Sequence, residues 1–228
     1  MPKLKRGKKH ENNAAAKRAQ KRRRTGQYRQ GDHAPATREE QPPIIFERNT
    51  VPTELQGLRT KIAACERSAN EVGGLHVYLD TLYPETDELQ AVLDEVADLI
   101  RRTMYLPPDT IIWWSSLDID EDCQTHVSAW VLRYNGNGTW HTDTHASTPC
   151  AHRQWSISVV LEAKNSYFEI ANRSSVVDGM RTWQTKAPVV VFQGHLVHRG
   201  VLREGGSRAI LAAEFSLSES TQRTLLGM

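Results

Sequence analysis

The feature that most constrains the fold is a change of period at Pro107-Pro108. Before it, apolar residues recur at three and four positions. After it come short β-prone runs at 111–115, 127–134, 140–145, 154–161, 167–170, 189–192, 198–202 and 208–217. Between several of them lie turn signals such as Asn135-Gly136-Asn137-Gly138 and Gly205-Gly206. About eight short strands after two helices predict a mainly β domain with flanking helices. The expected architecture is a double-stranded β-helix, or jelly roll, buttressed by two N-terminal helices.

The helical support spans residues 44–108 and the jelly-roll core 109–218, within a folded body of 44–228. Ile44-Ile45-Phe46 reads as a short opening strand. A first helix is expected at 52–70, with Leu55, Leu58, Ile62 and Ala63 on one face and Gly73-Gly74 as its stop. The second has a longer apolar stripe: Leu89, Val92, Leu93, Val96, Leu99, Ile100 and Met104. Glu85, Asp87 and Glu88 near its start and Arg101-Arg102 near its end suit the helix dipole.

Residues 1–43 differ from the body. They lack Val, Ile, Phe and Trp, so little could be buried there, and the segment reads as a disordered basic arm. The first 30 residues hold twelve Lys or Arg against the single acid Glu11, a charge of 12 − 1 = +11. Since the whole chain carries +2, the remainder carries +2 − 11 = −9. Lys8-Lys9 and Lys21-Arg22-Arg23-Arg24 have the spacing of a bipartite import signal, and the same charges suit nucleic-acid phosphates. An import receptor or a nucleic acid is therefore the partner expected for residues 1–30. Tyr28 is the arm's only aromatic, so base stacking is not its strength.

Cys65, Cys123 and Cys150 are widely spaced without a CxxC, which signals neither a disulfide framework nor a zinc knuckle. The start has no apolar run of a secretory signal, and no stretch approaches the roughly eighteen apolar residues of a membrane span. An intracellular protein, cytoplasmic or nuclear and without membrane contact, is expected.

Four residues carry the chemistry. His141 and Asp143, separated by one residue, share a face if they lie on a strand, and can bind one metal from one side. His198 supplies a third ligand. Two imidazoles and one carboxylate on one face of an octahedral metal leave three positions open, which suits ferrous iron that must take a co-substrate and oxygen in turn. Arg208 follows the Gly205-Gly206 turn. It is expected to begin an antiparallel strand returning past His198, where its guanidinium could clamp a carboxylate bidentately.

These residues sit in segments that resemble the iron- and 2-oxoglutarate-dependent dioxygenases, in particular their prolyl 4-hydroxylase-like branch. Residues 132–143 (LRYNGNGTWHTD) resemble that branch's aromatic, glycine-turn and HxD element, and 154–161 (QWSISVVL) its next core strand. Residues 190–201 (VVFQGHLVHRGV) are similar to the strand and turn presenting the distal histidine, and 206–211 (GSRAIL) to the strand bearing the co-substrate arginine. The resemblance implies that His141, Asp143 and His198 bind Fe(II), that Arg208 pairs with the distal carboxylate of 2-oxoglutarate, and that Tyr134 donates a hydrogen bond to the same molecule. It implies no catalytic residue beyond the metal centre, and ascorbate as an auxiliary reductant. The activity implied is hydroxylation of a C–H bond in a protein side chain or a small molecule, with release of succinate and CO2. The pattern departs from the family at Val160, where an aromatic is frequent, and in the apolar run after Arg208.

His145 and His195 lie near the motif but off its ligand positions, and are read as outer or exposed histidines. Trp113, Trp114, Trp140, Trp155 and Trp183 are read as sheet packing. Arg153, Arg199 and Arg203 are read as solvated. Two other functions compete: a nucleic-acid-binding protein with a catalytically silent roll, and a nucleic-acid demethylase that joins arm and metal site.

Overall fold

The computed structural model describes residues 42–58, 75–119, 124–134, 136–144 and 154–227. Residues 1–41, most of the helix expected at 52–70, Gly73-Gly74, His145, Arg153 and the three cysteines lie outside the described residues. The described elements run β1 (Ile45–Arg48), α1 (Thr53–Gln56), β2 (Leu75–Tyr78), α2 (Leu79–Leu82), α3 (Thr86–Met104), β3 (Trp113–Trp114), β4 (Ser116–Ile119), β5 (Gln124–Val127), β6 (Ala129–Tyr134), β7 (Gln154–Ile170), β8 (Trp183–Thr185), β9 (Val189–Gln193), β10 (His198–Ser216) and α4 (Glu219–Leu226). No helix among them is long and apolar enough to cross a membrane.

Two long antiparallel strands organise the domain. β7 and β10 pair from His198↔Ile170 to Ser216↔Gln154, interrupted between Leu202 and Ser207. At the interruption four residues of β10 stand opposite one of β7, Asn165. Asn165 takes a φ of 46° and Gly205 a φ of 65°, left-handed values that let both strands turn a corner together. Gly-Gly is required in this corner for a second reason: a Cβ on Gly206 would lie 2.6 Å from the Arg203 carbonyl oxygen.

This corner corrects one expectation. Gly205-Gly206 is no hairpin, and Arg208 does not begin a returning strand; 198–202 and 207–216 continue along the same partner. The runs at 154–161 and 167–170 fuse into β7 in the same way. Their turn residues deflect a strand without reversing it, because the partner strand bends beside them.

Each side of the corner forms its own sheet. Beyond it, β2, β6, the second part of β10, the first part of β7, β9 and β1 lie side by side, all antiparallel. Before it, the segment at His141, the first part of β10, the second part of β7 and β8 do the same. The two inner faces meet where Phe168 and Ile170 of the smaller sheet pack on Val190 and Phe192 of the larger, with Leu196 beside them. This is the expected jelly roll.

Alternation along the strands separates two environments. One face of the larger sheet carries Val131, Trp155, Ile157, Val159, Val189, Val191, Leu211, Ala213 and Phe215, all buried against Leu93, Val96, Leu99, Ile100 and Met104 of α3. Each such side chain stabilises the fold by roughly 1.5–3 kcal/mol relative to exposure. Helical buttressing is thus observed for α3, and α1 supplies the first turn of the other expected helix. α3 ends on Tyr105 in the left-handed conformation, two residues before Pro107.

Candidate metal centre

Residues 137–144 run antiparallel to 194–202 without forming a full strand. The Leu202 N–H donates to Asn137 Oδ1 at 2.7 Å, and the Gly138 N–H to the Gly200 carbonyl at 2.9 Å. His141 and His198 exchange backbone hydrogen bonds of 3.1 and 2.9 Å. The chain then bends, and the N–H groups of Asp143 and Thr144 both donate to the Gly194 carbonyl at 3.0 Å. The strand expected at 140–145 is therefore a single bridge followed by a bend. That bend, not strand alternation, brings Asp143 beside His141.

The three expected ligands converge. One donor atom from each of His141, Asp143 and His198 lies within 4.8 Å of the others. Asp143 Oδ1 is 3.4 Å from His198 Nε2 and 3.6 Å from His141 Nε2. Two donors at right angles, each about 2.1 Å from a metal, would be about 3 Å apart, so a small contraction completes the set. His141 Nδ1 lies 2.8 Å from the Thr139 carbonyl oxygen, and His198 Nδ1 lies 2.9 Å from that of Leu196. A carbonyl can only accept, so Nδ1 carries the proton and Nε2 offers its lone pair to the shared point.

Electrostatics couple the three side chains. Burial alone would raise the Asp143 pKa, but the charge and hydrogen bond of His198, the charge of His141 and the Ser156 hydroxyl together bring it down to about 2. Asp143 is thus a carboxylate at any ordinary pH. Burial would lower His198, and Asp143 overcomes it, raising His198 above its usual range. His141 is lowered by burial and by His198 beside it. Its side chain is 45% exposed against 6% for His198, so His141 lies on the open side.

Arg208 and Tyr134 stand on neighbouring strands as register partners. The Tyr134 ring lies over Gly200: a Cβ there would be 2.9 Å from Tyr134 Cζ, so only glycine lets the ring reach this position. Its phenol is kept protonated by burial, against a lowering effect of Arg208. Arg208 is 3% exposed, and its Nε and Nη2 have no hydrogen-bond partner among the described residues. A buried guanidinium with idle donors is expensive unless an anion meets it.

Other expectations resolve differently. His195 is half-buried and outside the ligand set. Arg199 is not merely solvated: it holds Glu169 through Nε at 2.8 Å and Nη2 at 2.7 Å, with its guanidinium 4.3 Å from the centre of the Trp140 ring. That stack occupies the face of Trp140, which therefore braces the turn before His141. Trp155 is fully buried and Trp114 packs on Phe215, whereas Trp113 is 55% exposed because its position points away from the core. Arg203 is exposed, as expected.

Two residues at the site escaped the sequence reading. Ser156 faces Asp143, and Glu214 lies across from Ser156 on the neighbouring strand. Burial and the charge of Asp143 push the Glu214 pKa up to about 8, with the nearby Ser128 hydroxyl acting the other way. The available signal was a lone acid on the same strand face as Arg208 in the otherwise apolar run Ala209-Ile210-Leu211-Ala212-Ala213-Glu214 of β10.

No family model and no curated protein matches the sequence. Among solved structures, SnoK, a non-heme alpha ketoglutarate dependent carbocyclase from nogalamycin biosynthesis, is similar with a TM-score of 0.50 at 11% identity, over 78% of this chain and 80% of SnoK. The two share a fold. EvdMO1 is similar with the same TM-score of 0.50 at 14% identity, over 78% of this chain and 47% of its own, so this chain spans about half of EvdMO1. Both likenesses agree with the roll derived from strand pairing.

Proposed function

We propose that this chain is an Fe(II)- and 2-oxoglutarate-dependent dioxygenase of the prolyl 4-hydroxylase-like branch, hydroxylating a C–H bond of a protein side chain or small molecule. The observation that carries this reading is the meeting, inside one roll, of a two-histidine, one-carboxylate set with a buried arginine whose donors are idle. SnoK, which has this fold, is named as ketoglutarate-dependent, and that supports the co-substrate. The branch rests on the sequence elements at 132–143, 154–161, 190–201 and 206–211.

In this reading His141, Asp143 and His198 hold the metal, with Nδ1 of both histidines tied to backbone carbonyls. Arg208 binds the distal carboxylate of 2-oxoglutarate, and the protonated Tyr134 hydroxyl donates to the same molecule. When bound, the iron and co-substrate supply an oxidant for C–H hydroxylation at the expense of O2, with release of succinate and CO2. Arg208 and Tyr134 fix one end of the diacid so that its other end is presented to the metal. The body 44–228 forms the catalytic domain, and residues 1–30 serve import or phosphate attraction.

The test is succinate formation from 2-oxoglutarate by purified protein with Fe(II) and ascorbate. Wild type should produce succinate, while His141→Ala and Arg208→Ala should not. A wild-type protein that neither forms succinate nor binds 2-oxoglutarate in the presence of metal would refute the reading.

A further inference from the structure

The inner face of the roll carries a basic side chain at one end of the second part of β10 and an acidic one at the other. Arg208, near the corner, has no hydrogen-bond partner among the described residues for two of its nitrogens. Glu214 stands on the same face of β10 six residues further on, about 20 Å along the strand. This is farther than a five-carbon diacid spans. Asp143 donates its N–H to the Gly194 carbonyl beside Ser156, the register partner of Glu214. His198 lies two residues from Gly200, under the ring of Tyr134, the register partner of Arg208, so the metal ligands lie between the two ends. Among the described residues no Lys or Arg forms an ion pair with Glu214, although Glu162 and Glu169, on the same sheets, each have an arginine.

Aromatic residues adjoin the acidic end. Register places Ala212 opposite Trp130, and Trp130 opposite Tyr78, one rung from Glu214 on the same face. His76 meets the Trp130 ring edge-on, with centroids 5.7 Å apart at 88°, and packs against Tyr78 at 5.1 Å. Tyr78 also feels the charge of Glu214. Tyr78 and Trp130 are half-buried and His76 is exposed, so they border accessible space. A carboxyl group beside aromatic rings is suited to an organic cation, which gains from charge pairing and from the ring faces together.

We propose that the acceptor substrate carries an alkylammonium or guanidinium group, which Glu214 binds while Tyr78 and Trp130 contact its aliphatic part. This rests on the metal and co-substrate assignment above. It divides the inner face between two ligands: the diacid is directed to Arg208 and the cation to Glu214, with the metal ligands between. Glu214 is a specificity residue in this arrangement, since it selects the end of the substrate that enters.

The experiment uses the full chain loaded with Mn(II) and 2-oxoglutarate at pH 9, where Glu214 is a carboxylate and an alkylamine is still a cation, titrated calorimetrically with pentylamine, pentanol and pentanoate, probes of one length and three charges. Wild type should bind the amine roughly tenfold more tightly than the alcohol, the worth of one charge-assisted hydrogen bond. Glu214→Gln, which is isosteric, should remove that preference, and Glu214→Lys should transfer it to pentanoate. Absence of any preference in wild type, or an amine preference that survives Glu214→Gln, would overturn the proposal. Binding of Mn(II) and 2-oxoglutarate by wild type, measured first, separates the two readings: its failure removes the metal site itself, whereas its success without a charge preference removes only the substrate class. N-acetyl-lysine methylamide, titrated alongside, distinguishes a peptide side chain from a free amine as the cation's source.

Discussion

The two faces of β10 differ by one step in the chain and by everything in purpose. Leu211, Ala213 and Phe215 are buried against α3 and its neighbours, with every polar demand met by backbone pairing. Arg208 and Glu214, on the alternate face, are polar groups held where water is scarce; among the described residues one has no partner for Nε and Nη2 and the other no basic residue in an ion pair with it. One face lowers the free energy of the fold. The other holds groups that oppose folding unless a ligand satisfies them, which marks it as the working surface.

That contrast can be broken first on the apolar side. Phe215→Ala should destabilise the metal-free protein by about 3–5 kcal/mol, while the fraction still folded keeps its metal affinity. Denaturant unfolding alongside Mn(II) titration measures both; a large loss of intrinsic metal affinity would show that the faces are not independent. Asp143→Ala should act in the opposite sense, lowering Mn(II) affinity by more than the roughly 100-fold that loss of an outer partner can cost. A variant retaining near-normal affinity by calorimetry would remove Asp143 from the ligand set.

Arg208→Met sharpens the comparison, because it should move stability and binding in opposite directions. Removing idle buried donors should raise the melting temperature of the metal-free protein, while 2-oxoglutarate affinity falls by about 1.5–3 kcal/mol, the range for hydrogen bonds to charged groups. A lower melting temperature would mean that Arg208 has a structural partner after all. The smallest effect concerns pH. His198 is raised above 6.5 because Asp143 outweighs burial, and a metal takes only the neutral imidazole. Mn(II) affinity should therefore weaken as pH falls through this raised value, beginning above 6.5, and recover as pH rises. His141, which is lowered, adds no competing proton in that window. A Mn(II) affinity that does not weaken until pH falls below the ordinary histidine value would contradict the Asp143–His198 coupling.

Much of this was legible in the chain. The apolar stripe from Leu89 to Met104 predicted α3, and the ligands His141, Asp143 and His198 were identifiable from their residue types and order. What the chain concealed was the path between them. Gly205-Gly206 has the composition of a hairpin turn, and only the simultaneous bend at Asn165 in the partner strand makes it a corner. HxD spacing suggested strand alternation, whereas the two N–H bonds to the Gly194 carbonyl show a bend. Glu214 was concealed by a different cause: its neighbours in sequence belong to the core, and its neighbours in space, Ser156 and Asp143, come from elsewhere in the chain.

The central claim is that one metal and one diacid share the inner face of this roll. Calorimetric titration of 2-oxoglutarate into the full chain, with and without Mn(II), tests it most directly. The account predicts one molecule bound per chain when the metal is present, much weaker binding without it, and loss of the metal-dependent component in His198→Ala. Binding that is indifferent to the metal, or that persists unchanged in His198→Ala, would contradict it.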